Sequence, residues 1–338
     1  MIYNNVVLWG AGSFGIKFIE MFRNEIAEIL FWVDAKKCGQ VIQGIKVISP
    51  DEFWQFYHGD LKDAQAMEVI ITARSVAALQ ITAALLQNSF LGRIEFASSI
   101  YARKYFKEHE LEIKEIENLF GGGESLHTYK SLLDNMCNGR ILDSSLHRER
   151  QYFPNAAIPS FQDGDVIVDA GVCNGEEVDA ALNMNPKVSI LAFEPNKESF
   201  AKLTVKYNGN KSVHIYPYAL WNESASLAGD GSSLLSTKYT ETTDVIGAVN
   251  AVKLDDIVKD KVDFIKMDIE GAELNALQGA KETIGKYRPN LAICIYHNIE
   301  DYVEIPLLIK SWNLDYVYYI KHHTSADTET VFYAIRRE

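Results

Sequence analysis

Twice in this chain a short apolar run breaks into a glycine-rich turn and then into residues spaced as a helix. The first is Val6–Trp9, followed by Gly10-Ala-Gly-Ser-Phe-Gly15 and the apolar spacing of Ile16–Asn24. The second is Val166–Asp169, followed by Ala170-Gly171-Val-Cys-Asn-Gly175 and the helical spacing of Glu176–Met184. Glycines at such a corner let the backbone turn sharply and approach a ligand closely. The free N–H groups of the new helix point into the same space. Corners of this kind belong to parallel sheets with helices on their faces. Two of them, widely separated, imply two such sheets, and 338 residues are enough for both, since one core seldom grows past roughly 250–300 residues.

The stretches between the corners fill in the two sheets. Apolar runs at Leu30–Val33, Lys46–Ile48 and Val69–Thr72 predict strands, and the segments opened by Pro50 and by Val76 predict helices. They define a small parallel α/β domain over residues 1–100. Residues 101–160 break the alternation. Tyr101–Leu119 is charged and helical, Gly121-Gly122-Gly123 interrupts it, and Ser131–Asn138 predicts another helix. This segment is expected to be a helical connector and a candidate active-site cover. Alternation resumes at Asp165. Strands are predicted at Val188–Glu194, Val213–Tyr218, Val262–Asp268 and Leu291–Tyr296, with helices at Lys197–Tyr207, Ala272–Ile284 and Tyr302–Ser311. Two closing strands, Asp315–Ile320 and Thr330–Ile335, are expected to pair as a hairpin-like edge. Residues 161–338 are therefore a second, larger α/β domain.

Charge and cysteine usage exclude several functions. A formal net charge of -13 repels polyanions on average, so no nucleic-acid partner is expected. Cys38, Cys137, Cys173 and Cys294 are scattered and form no Cys-x-x-Cys pair, which argues against a zinc cluster or a disulfide framework. No apolar stretch reaches the roughly 18 residues of a membrane span, so no membrane insertion is expected. The N-terminus lacks a signal-peptide pattern, and a cytoplasmic location is the default expectation.

The distal motifs carry the chemistry. Glu176 and Glu177 in the first turn after Gly175 make a polyphosphate unwelcome, whereas a zwitterionic ligand with an ammonium and a sulfonium suits an acidic Asp169. S-adenosylmethionine has that character. Phe193-Glu194-Pro195 ends the next strand about 20 residues further on, the offset at which a carboxylate meets ribose hydroxyls. The block Asp263-Phe-Ile-Lys-Met-Asp268-Ile-Glu270-Gly-Ala-Glu273 delivers Lys266, Asp268 and Glu270 to a strand–helix junction. For Lys266, a structural ion pair and a catalytic role weigh equally. Asp268 and Glu270 are candidates for the reaction centre, and Glu273 for a capping or solvated helix residue. His297 lies at the same sheet end, and an ordinary imidazole pKa of about 6.5 suits a general base. A neutral imidazole with Asp268 and Glu270 would equally suit a divalent metal ion. The sequence leaves both roles open.

Val166-Ile-Val-Asp-Ala-Gly171…Gly175, Phe193-Glu194-Pro195, Lys253-Leu-Asp255-Asp256 and the Lys-Met-Asp-Ile-Glu-Gly-Ala-Glu block occur in that order, and together they resemble the FkbM-type methyltransferases over about residues 150–336. The resemblance implies a class I methyltransferase, with a Rossmann-like seven-stranded sheet and S-adenosylmethionine at the carboxyl ends of its strands. It implies methyl transfer to a hydroxyl of a sugar, glycan or related metabolite. By position, Asp169, Gly171 and Gly175 would line the methionine and ribose, Glu194 would bind the ribose hydroxyls, and Asp268 would lie nearest the methyl. Cys173, Pro195 and Ala219 complete the expected cofactor contacts. Where relatives carry an acid two residues before His297, this chain has Ile295, so the base stays open between His297 and a metal-assisted route.

In the N-terminal domain, Gly10, Gly12 and Gly15 follow a strand, and Asp34 ends the next one at the offset of a ribose-binding acid. Gly39…Gly44-Ile-Lys-Val-Ile-Ser-Pro50 resembles small nucleotide-binding domains attached to sugar-modifying enzymes. A nucleotide or nucleotide-sugar site and a plain docking or dimerisation domain weigh equally, and the latter admits a homodimer. Two functions compete with methyl transfer: an NAD-dependent oxidoreductase using this loop, which lacks a catalytic Tyr-x-x-x-Lys pair after it within residues 1–100, and a non-catalytic nucleotide-binding protein.

Overall fold

The computed structural model describes residues 3–59, 67–73, 75–138, 151–153, 158–229, 239–243, 247–324 and 328–337. They form two compact units, Met1–Glu108 with Asp134–Arg140, and His109–Leu133 with Ile141–Glu338.

In the first unit, five strands run parallel in the order Ile45–Ile48, Ile29–Val33, Val6–Trp9, Glu68–Ile71, Arg93–Phe96, and the short strand Val41–Ile42 adds an antiparallel edge. Side chains alternate between the faces of a strand. Val6 and Leu8 accordingly pack with Phe18 and Trp32 on one side, and Val7 and Trp9 with Val33 and Phe53 on the other. Gly15 lets the helix Ser13–Phe22 sit against its strand, because a Cβ there would lie 2.4 Å from the Gly10 carbonyl. The strand Arg93–Phe96 escaped the sequence reading because Arg93 and Glu95 leave it only two apolar residues.

The second unit holds a seven-stranded sheet in the order Tyr316–His322, Thr330–Arg336, Asn290–Cys294, Phe264–Met267, Val166–Ala170, Ser189–Phe193, Val213–Tyr216. Thr330–Arg336 runs antiparallel to both of its neighbours. The expected closing pair therefore forms, but its second member is an interior strand rather than an edge. The chain reverses direction across the sheet between Val166–Ala170 and Phe264–Met267, which pair in parallel. Ligands in open α/β sheets bind outside the carboxyl ends of strands at such a switch point.

Three elements differ from the sequence expectation. Pro217 divides the expected strand Val213–Tyr218, since proline has no N–H to give a ladder. Tyr218–Leu220 instead joins Val249–Val252, Ala225–Gly229 and Tyr239–Glu241 in a separate four-stranded sheet. The expected helix Ala272–Ile284 is two, Glu273–Gln278 and Lys281–Tyr287. Gly279 marks the break, where a Cβ would lie 1.9 Å from the Trp221 carbonyl. The stretch Tyr101–Leu119 is also two helices, Ala97–Glu108 in the first unit and Glu110–Leu119 in the second. Of the remaining expected connector, residues 139–150 and 154–157 lie outside the described residues. Among the described residues, no helix is long and apolar enough to cross a membrane.

Candidate active site

The strand Val166–Ala170 ends in Gly171, whose φ of +81° favours glycine. A Cβ there would lie 1.8 Å from the Asp268 carbonyl oxygen, so only glycine lets the two central strand ends approach this closely. Cys173 follows in the left-handed region, and its N–H donates to Glu194 Oε2 at 2.9 Å. Glu194 Oε1 accepts from the Asn196 N–H at 2.8 Å. The carboxylate thus locks the glycine loop to the end of the neighbouring strand while keeping lone pairs free, since each oxygen has two. Burial raises its pKa.

These residues open onto a cleft at the carboxyl ends of the strands. Gly171, Cys173, Glu194, Pro195, Ala219, Asp268 and Glu270 all line it. Phe193 and Asn196 line it too, and both flank the Glu194-Pro195 motif that pointed there. Tyr218, Leu220, Leu227 and Tyr239 make an apolar wall from the four-stranded sheet, whose non-local pairing left no local signal. Glu270 stands at φ +61° and is followed by Gly271 at +94°. A non-glycine residue held in that region marks strain of the sort that collects at functional sites.

Asp169, Gly175, Lys266 and His297 do not line the cleft. Gly175 caps the helix Glu176–Met184, and a Cβ there would lie 2.5 Å from the Tyr207 hydroxyl. Lys266 is 2% exposed, with its ammonium 3.0 Å from Asp169 Oδ1 and donating to the Gly171 carbonyl at 2.8 Å. Burial disfavours the ammonium, but the charges of Asp169, Asp268 and Glu177 outweigh burial and raise its pKa. This geometry is the ion-pair alternative for Lys266, in which its charge holds the strand ends from below.

The His297 side chain is only 5% exposed and stands between carboxylates. Nδ1 is 3.1 Å from Glu273 Oε1, and Nε2 is 3.5 Å from both Asp268 Oδ1 and Glu270 Oε2. Burial lowers its pKa, but Glu273 first, then Asp268 and Glu270, raise it to about 9. Carboxylates beside both ring nitrogens favour the protonated ring, whereas a general base at His297 needs the neutral one. Glu273 is not a solvated helix residue. It is fully buried, and its Oε1 also accepts from the Ile269 N–H at 2.7 Å. Asp268, Glu273 and His297 offer three ligand atoms within 4.8 Å of one another, so Glu273 takes the place expected of Glu270 in a metal set. The N···O spacings of 3.1 and 3.5 Å suit an ion-paired imidazolium and equally suit ligand atoms that share one cation.

In the first unit, Gly10 adopts φ +116° and Gly12 has open space around it. Asp34 is occupied. Oδ2 accepts from the Ala11 N–H at 2.8 Å, and Oδ1 from those of Lys36 and Lys37 at 2.8 and 3.0 Å. The expected ribose acid therefore ties down its own loop.

The strand order and the cleft at the switch point are those of a class I methyltransferase fold. Residues 169–318 match the family described as Methyltransferase FkbM domain, and the chain carries that domain. A crystal structure of methyltransferase FkbM from Methylobacillus flagellatus KT superposes with a TM-score of 0.62 at 18% identity, covering 97% of this chain and 89% of that one. The 2-O-methyltransferase NoeI of Sinorhizobium fredii is 24% identical over 147 residues. That match spans 36% of this chain and 60% of the relative's length.

Proposed function

We propose that the distal unit is an S-adenosylmethionine-dependent O-methyltransferase acting on a hydroxyl of a sugar, glycan or related metabolite. One observation carries the reading: Gly171, Glu194 and Asp268, on three different strand ends, line one cleft. The free lone pairs of Glu194 suit ribose hydroxyls. The apolar wall of Tyr218, Leu220, Leu227 and Tyr239 suits a purine ring. The carboxylates of Asp268 and Glu270 suit a sulfonium. The likeness to a 2-O-methyltransferase supports a hydroxyl acceptor.

The sulfonium is a good leaving group, so the protein need only hold the acceptor oxygen in line with the methyl, at about 3–3.5 Å, and remove its proton. Asp268, which lines the cleft, takes that proton in this reading, and His297, 3.5 Å from both Asp268 and Glu270, orients the two carboxylates. An NAD-dependent oxidoreductase ranks second, because no Tyr-x-x-x-Lys pair follows the first glycine loop within residues 1–100. The acceptor partner, a nucleotide or nucleotide-sugar on the first unit, a homodimer and a cytoplasmic location remain parts of the proposal.

Calorimetric titration with S-adenosylmethionine and with NAD tests the cofactor, and binding of NAD alone would overturn the reading. A labelled-methyl screen over saccharide, glycan and nucleotide-sugar acceptors then identifies the substrate. Repeating it with a chelator decides the metal; undiminished turnover is expected.

A further inference from the structure

Tyr152 lies ahead of the matched domain, residues 169–318, in a segment otherwise read as connector. It is 4% exposed. Its hydroxyl donates to Asp268 Oδ2 at 3.2 Å, while the Tyr296 hydroxyl donates to Asp268 Oδ1 at 3.3 Å. The two phenols grip the carboxylate by both oxygens.

The hydrogen inventory favours Tyr152 as the committed donor. A phenol has one proton to give. Tyr296 shares its proton between Asp268 and Glu329 Oε1, also at 3.3 Å. Tyr152 receives a hydrogen bond from Gln151 Nε2 at 2.9 Å, and its oxygen lies 2.9 Å from Cys294 Sγ. Cys294 is fully buried, and burial first, with the charge of Asp268 behind it, keeps its thiol protonated. The amide supplies one hydrogen to the phenolic oxygen, and where the Cys294 thiol supplies the other, the phenolic proton is left for Asp268. The Tyr152 ring is fixed separately, 5.3 Å from the Lys266 ammonium, so its hydroxyl has little freedom to turn away.

We infer that Tyr152 is a positioning residue that, with Tyr296, fixes the Asp268 carboxylate so that its remaining lone pairs face the donor sulfonium and the incoming hydroxyl. This rests on the methyl-donor reading of the cleft. It adds a part of the site supplied from outside the matched domain.

The test needs no acceptor. Sinefungin carries an ammonium where S-adenosylmethionine carries its sulfonium and methyl, whereas S-adenosylhomocysteine is neutral there. Binding of both ligands is measured by calorimetry on the full chain, for the parent protein, Tyr152→Phe and Asp268→Asn. Tyr152→Phe keeps the ring and its packing. It is expected to weaken sinefungin about tenfold, the scale of one hydrogen bond to a charged group, and to leave S-adenosylhomocysteine within about twofold. Asp268→Asn should discriminate in the same direction and by more. A merely structural role would weaken both ligands alike. Equal loss, or no change in the ratio for Tyr152→Phe, overturns the inference while the methyl-donor reading stands. Failure of the parent protein to bind either ligand overturns both.

Discussion

The Lys266 ammonium stands 3.0 Å from the Asp169 carboxylate, with both side chains under 5% exposed, on the two strands that meet at the switch point. Removing one partner of a buried pair leaves an uncompensated charge, which typically costs about 3–5 kcal/mol, whereas removing both can be neutral. Lys266→Met should lose that much in urea denaturation, and Lys266→Met with Asp169→Leu should regain most of it. If the double variant is stable yet catalytically dead, Lys266 does more than hold the strands.

The two glycine loops should respond differently to one methyl group. Gly171→Ala meets the Asp268 carbonyl at 1.8 Å from a left-handed backbone, and overpacking together with that conformation should cost about 2–5 kcal/mol. Gly12→Ala enters open space at a φ of -76°, and should cost about 1 kcal/mol or less. Melting temperatures compared side by side check the contrast.

Glu194→Gln keeps the shape but replaces an anion that accepts two backbone N–H groups. One amide oxygen can still accept, while the amide nitrogen would face an N–H. Binding of S-adenosylmethionine should weaken by about tenfold or more, read by calorimetry, with the melting temperature falling only modestly.

Stability should fall on the alkaline side through His297. Its folded pKa of about 9 lies above the ordinary 6.5. Its contribution is therefore complete below pH 6.5 and is lost as pH rises through 9. Asp301, which burial and the charge of Glu273 raise to about 8, adds a loss of the same sign across neutral pH. Chemical denaturation between pH 6 and 9.5 should show declining stability, and His297→Gln should flatten that decline.

Gly171, Glu194 and Asp268 were legible because each sits at the end of a short apolar strand in a parallel sheet. There, direction and pairing follow from local pattern alone. Glu273 was misread because an acid in the first turn of a helix usually faces water, and nothing nearby in sequence announces that His297 will cover it. The surroundings of His297 were unreadable for the same reason, since its carboxylate neighbours are gathered from another strand end. Tyr152 gave no signal: Gln151-Tyr152-Phe153 is an unremarkable aromatic stretch until the fold lays it over Lys266. The four-stranded sheet stayed hidden because its strands, 3–5 residues long, find their partners only across the chain.

The antiparallel placement of Thr330–Arg336 between Tyr316–His322 and Asn290–Cys294 has a consequence for how the molecule is made. Synthesis proceeds from the N-terminus, so the glycine loop, Glu194 and Asp268 all leave the ribosome while one interior slot of their sheet is still vacant. Until Arg336 emerges, Asn290–Cys294 offers a bare hydrogen-bonding edge to any passing chain. A ribosome stalled just short of that strand would release a product with every motif in place and an open seam beside them, a natural target for chaperones.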